Sequence, residues 1–200
     1  MDNNKMTRVA KNLDIIANVG GKLTAAAGII CVLVALLTFV FGSRMFTDGA
    51  VTLDLDFLKL HLSDSAYVNV GYMKLYVCVA TLGGSVICFL VCYIAKLLHA
   101  ILAPMKNGRP FEAGISTHLK KVGWAVLVGG LLSELVGITA RFLLTKAYSM
   151  EKIFISSAIS KVEFVFNMDL NFVLLACAIF LLSYIFSYGQ VLQRDIDETL

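Results

Sequence analysis

Charge is scarce in this sequence. Asp, Glu, Lys and Arg supply 16% of its 200 residues, where a soluble domain carries about a quarter. A chain this short cannot hide 58% hydrophobic residues inside a water-facing fold, because most of its residues lie at the surface. Proline is rarer still, with two residues beside 15 glycines, a composition that excludes collagen-like and disordered chains. Cysteine is missing from every segment outside the apolar runs: Cys31, Cys78, Cys88, Cys92 and Cys177 all fall within them, so no exported disulfide framework is expected. Basic residues are nowhere interleaved with aromatics and the net charge is only +3, which argues against direct nucleic-acid binding. The sequence also lacks H-E-x-x-H, G-x-S-x-G and G-x-x-x-x-G-K, so neither an enzyme nor a cofactor site is expected.

What is present is long apolar runs. A spanning helix needs about 20 predominantly apolar residues, and four stretches qualify, at about 23–41, 75–95, 122–146 and 170–187. They predict one integral membrane domain over 1–200, with outer loops 43–73 and 147–169, an inner loop 96–121 and a cytoplasmic tail 188–200. Lys5, Arg8 and Lys11 precede the first run as in a signal peptide. The run is longer than a cleavable core and ends without a clear small-x-small site, so a retained span is expected. The predicted fold is an all-α membrane protein, a four-transmembrane-helix bundle.

Four spans return both termini to one side. That side holds Lys5, Arg8, Lys11, Lys22, Lys96, Lys106, Arg109, Lys120, Lys121 and Arg194, ten of the 17 basic residues. By the positive-inside rule it is the cytoplasm, which predicts a multi-pass membrane protein with both termini inside. With its acids counted, the inner side is +4, the outer side is neutral, and Glu134 in the third run completes the total of +3.

Outside the spans, Met6, Val9, Leu13 and Ile16 recur at steps of three and four, predicting a short amphipathic helix on the inner membrane surface. The outer loops contain Val51–Phe57, with period-2 alternation throughout, and Ser160–Phe166, which alternates over its first five residues. A lone strand leaves its backbone unpaired, so the two outer loops are expected to pair as a small extracellular β-sheet. In the inner loop, Pro104 is expected to close the second helix and Asn107-Gly108-Arg109-Pro110 to form a turn. Phe111, Ile115, Leu119 and Val122 would then start a second interfacial helix, with Phe111 as its apolar plug.

Glu134 is the sharpest candidate. A carboxylate in mid-span costs several kcal/mol, about 2.5 or more, so it faces protein, is protonated, or pairs. Arg141 lies two turns further on the same face, about 10 Å away. Two readings stand: a proton, cation or ligand site formed by Glu134 and Arg141, or a polar contact to another span. Cys88 and Cys92 share a helix face, but without a His or carboxylate they read as packing residues and no metal is expected. Small residues at Gly20, Thr24, Gly28, Cys31, Ala35 and Thr38 and at Gly130, Ser133, Gly137 and Ala140 predict helix-packing stripes.

Four spans, the run Asn107-Gly108-Arg109-Pro110-Phe111-Glu112 followed by Leu119, and the tail Gly189-x-x-Leu192-Gln193-x-x-x-Asp197-x-Thr199 resemble one bacterial family. It is the small four-span membrane family catalogued as domain of unknown function twenty-nine seventy-five. The resemblance covers nearly the whole chain, and departs at Arg194-Asp195-Ile196, where the family more often has an acid- and Asn-rich stretch. Its members are commonly encoded beside a short helix-turn-helix regulator. The resemblance therefore implies a membrane regulator or sensor that holds a small transcription factor, with Arg109, Phe111, Asp195, Asp197 and Glu198 as candidate contacts. The competing expectation is a small permease, or a lipid- or drug-binding protein of resistance or immunity, using Glu134 in an intramembrane cavity.

Overall fold

The computed structural model describes residues 3–45, 52–55, 58–61, 69–106, 112, 114–148 and 168–199. Four long helices carry most of them: α1 (Asn3–Met45), α2 (Val70–Lys106), α3 (Ile115–Ala147) and α4 (Asn171–Thr199). Each is long and apolar enough to cross a membrane. Between α1 and α2 lie two short strands, β1 (Thr52–Leu55) and β2 (Leu58–His61).

Local chemistry sets the helix starts. The Asn69 side-chain oxygen accepts from the Gly71 and Tyr72 amides at 3.1 and 3.4 Å and caps α2, satisfying donors that have no partner within the helix. Asp169 accepts from the Asn171 amide at 3.0 Å at the head of α4. Before α3, Gly114 adopts φ 105°, a left-handed conformation that a side chain would disfavour. Pro104 sits within the last turn of α2, which continues to Lys106 rather than closing at the proline.

Large apolar side chains cover much of the helix surface, and the buried positions mix small residues with larger ones such as Ile115 and Tyr148. Ala147 and Ala176 are fully buried, while Phe39 is 78% and Leu174 72% exposed. Lipid suits so many exposed large apolar side chains, and small buried residues such as Ala147 and Ala176 allow the close helix approach that holds helices together there. Thr24, Thr38, Thr81 and Thr139 satisfy their hydroxyls by donating to carbonyls of their own helix at 2.6–3.0 Å, so none leaves a polar group facing hydrocarbon.

Two compact units emerge. The first comprises Met1–Ile29, Ser85–Ser133 and Asp169–Leu200. Its core is Leu97, Ile101, Ile115 and Val122, with Ile94, Met105, Leu119, Val126, Ile179 and Phe186 packed around them. The Phe180 ring lies so close to Gly123 that an added Cβ would meet it at 2.7 Å, and its edge meets Trp124 with centroids 5.8 Å apart. The second unit comprises Ile30–Gly84 and Glu134–Met168. There α2 meets α3 at Gly83, where a Cβ would stand 2.5 Å from a Val136 methyl. The Asn69 amide donates to the Ala147 carbonyl at 2.8 Å, joining the start of α2 to the end of α3.

Two further expectations change. The N-terminal segment is not a separate interfacial helix: α1 runs unbroken from Asn3 to Met45. Its buried face is Ala10, Asp14 and Gly21, whereas the apolar stripe Val9, Leu13 and Ile16 is exposed. Nor do the described residues support a sheet shared between the outer loops. β1 pairs antiparallel with β2 of its own loop, Thr52 opposite His61 and Leu55 opposite Leu58. A local hairpin meets the same need for a backbone partner at less loop-closure cost. The second alternating stretch, 160–166, lies outside the described residues.

Candidate functional site

The polar centre of the first unit is one the sequence reading passed over. At positions 10, 14, 17 and 21 the buried face of α1 presents Ala10, Asp14, Ala17 and Gly21, spaced so that one carboxylate stands among small residues. The facing stripe of α2 carries Ala95 and His99, with Lys106 two turns beyond. At Gly21 an added Cβ would lie 3.0 Å from that of Ala95, so the backbones approach closely enough for short polar side chains to meet across them.

They do meet. One Asp14 oxygen accepts from the His99 Nδ1–H and the other from the Lys106 ammonium. The Asp14 side chain is 12% exposed, against 28% for Lys106 and 55% for His99. A carboxylate withdrawn from water is thus held by two donors that keep one side in solvent, which offsets its desolvation. Cys92, the nearest thiol on the same stripe, is seven residues from His99, about 10 Å in helix rise. It stands beyond hydrogen-bond reach, so this is an electrostatic tie and not a nucleophile–base pair. No group of three or more metal-ligating side chains occurs among the described residues.

Directly above the tie, α1 and α2 enclose a half-open cavity of about 430 Å³. Ala17, Gly21, Ala25, Cys92 and Ala95 form its apolar walls, and Asn18, Lys22, Lys96 and His99 its polar margin. One turn beyond, an added Cβ at Gly28 would stand 3.2 Å from that of Cys88 and 3.5 Å from the Phe89 ring; this contact closes the upper end. Cys88 is therefore a packing residue.

The candidate residues from sequence fall in different places. Glu134 is half-buried and Arg141 exposed, both on α3, and no ion pair joins them among the described residues. The cavity has neither in its lining. Arg109 and Phe111 lie outside the described residues, as does the Asp197 side chain. Asp195 and Glu198 are exposed on the last turns of α4, where the Arg194 Nε donates to Glu198 at 2.8 Å.

The inner loop and the tail are brought together. The Gln190 side-chain amide donates to the Glu112 carbonyl at 2.9 Å, and its oxygen accepts from the Ser116 hydroxyl at 3.3 Å. Two turns earlier on α4, the Ser183 hydroxyl donates to the Ser116 carbonyl at 2.8 Å. Glu112 ends the inner-loop motif and Gln190 follows Gly189 of the tail motif, so two distant sequence signatures share one hydrogen-bonded corner. In the second unit, Tyr148 is 2% exposed and its hydroxyl has no hydrogen-bond partner among the described residues. Burial, and then the neighbouring Tyr76, push its phenol above the ordinary tyrosine range, so it stays protonated.

No protein-family model, curated protein or solved structure matches the chain.

Proposed function

We infer that the chain is a non-enzymatic regulator or sensor of the bacterial inner membrane, with both termini in the cytoplasm. It holds a small cytosolic helix-turn-helix transcription factor against the membrane. The observation that carries this reading is the corner where Gln190 bonds Glu112 and Ser116. It joins the end of the inner loop to a helical tail bearing Asp195 and Glu198, so a partner meets both segments as one surface. Acidic side chains on that surface suit the basic face of a DNA-binding protein, where charge complementarity sets partner choice and association rate. The excess of Lys and Arg beside the inner ends of the spans supports the orientation.

The test is co-purification, from detergent extracts, of a small helix-turn-helix regulator co-expressed with the protein. Removing residues 194–200, or replacing Gln190 by Ala, is expected to reduce its recovery, and unchanged recovery with both variants refutes the reading. The alternative of a permease or of a lipid- or drug-binding protein acting through Glu134 gains nothing from the cavity, whose lining omits that residue.

A further inference from the structure

We propose that the cavity between α1 and α2 is a binding site for one anionic phospholipid, its phosphate at Lys22 and Lys96 and the start of an acyl chain along Ala25, Cys92 and Ala95. Three observations converge. The cavity is graded along its length: its apolar wall lies on the span side, towards the Gly28–Cys88 contact, and Asn18 and His99 mark the other end. Its two lysines stand where the apolar runs stop. Lys22 precedes Leu23 at the start of the first run, and Lys96 follows Ala95 at the end of the second. That is the depth of lipid phosphates, and lysine stems reach it by snorkelling.

The third observation is the charge balance. Asp14, the carboxylate nearest the cavity along α1, is already held by His99 and Lys106. Neither Lys22 nor Lys96 makes an ion pair among the described residues, and both are exposed. The tie removes the acid that would otherwise compete for them and leaves a cationic margin with no anion of its own. The volume of about 430 Å³ lies within the range of small-molecule sites, which combine apolar walls with a few placed polar groups. A free phosphate would leave the apolar wall wet, and a zwitterionic lipid would bring its own cation to the lysines. The occupant that satisfies both ends is an anionic lipid.

The leaflet in which the cavity opens rests on the orientation proposed above; binding itself does not, because detergent solution has no leaflets. Native mass spectrometry of the full-length protein, titrated with phosphatidylglycerol or phosphatidylcholine, reads stoichiometry and preference. Alkylation of Cys92 by N-ethylmaleimide, followed on its peptide with Cys177 as internal control, locates the site. One phosphatidylglycerol is expected to bind with a preference of about 30-fold over phosphatidylcholine, from two lysines at a headgroup. It should slow alkylation of Cys92 and not of Cys177. Lys22→Gln with Lys96→Gln should abolish both effects, and Lys22→Arg with Lys96→Arg should retain them. Equal affinity for the two lipids, protection that persists in the Gln variant, or the same protection by inorganic phosphate would each overturn the proposal. The wild-type comparison decides even if the Gln variant fails to fold.

Discussion

Replacing Asp14 by Ala tests the polar tie most directly. The substitution removes two charge-assisted hydrogen bonds, each worth about 1.5–3 kcal/mol in a protected setting. Neither bond is fully protected: Lys106 is 28% and His99 55% exposed, so both donors recover water once the carboxylate is gone. Removing Asp14 also abolishes the cost of keeping a carboxylate 12% exposed, which lowers the net loss further. The expected destabilisation is about 2 kcal/mol, or roughly 4–8 °C in Tm for a chain of this size. Lys106→Met keeps the aliphatic stem and removes only the charge. In a double-mutant cycle, thermal unfolding in one detergent should give a coupling of about 1 kcal/mol between Asp14→Ala and Lys106→Met, above that of an ordinary surface pair. Additivity within about 0.3 kcal/mol would show that the two side chains do not act together, and the reasoning would fail.

Other substitutions probe the packing. Gly83→Ala places a Cβ 2.5 Å from a Val136 methyl and should destabilise by about 1–3 kcal/mol, with rescue by Val136→Ala; Gly20→Ala meets nothing within 4 Å and should stabilise by up to about 1 kcal/mol through helix propensity. Thermal melts of the three variants and wild type check both. Tyr148→Phe removes a buried hydroxyl that has no partner among the described residues and should raise stability by about 1 kcal/mol; a fall in Tm would mean that the hydroxyl has a role in the native state.

The spans were legible because the bilayer imposes one requirement, a long apolar helix, and 23–41, 75–95, 122–146 and 170–187 each meet it locally. Period-2 alternation at Val51–Phe57 likewise located a strand, though not its partner, since periodicity reports a face and not what pairs with the edge. Asp14 was invisible for a related reason. Read alone it is one acid on a charged N-terminal segment, and its partners His99 and Lys106 lie 85 and 92 residues away. Only its step from Ala10 and towards Ala17 and Gly21, a small-residue face interrupted by one carboxylate, marked it as facing protein. The prominence of Glu134 came from its depth in the sequence, but depth fixes a cost and not a partner, and the cavity between α1 and α2 does not include it in its lining.

The corner formed by Glu112, Ser116, Ser183 and Gln190 has a consequence for biogenesis. The ribosome delivers α3 well before α4, so the Ser116 carbonyl acquires the Ser183 hydroxyl only when the last span has entered the bilayer. Until then the head of α3 carries polar groups awaiting their acceptors and donors. The final helix therefore completes the head of the one before it, and these cross-helix bonds form late in the order of synthesis although Ser116 is made early.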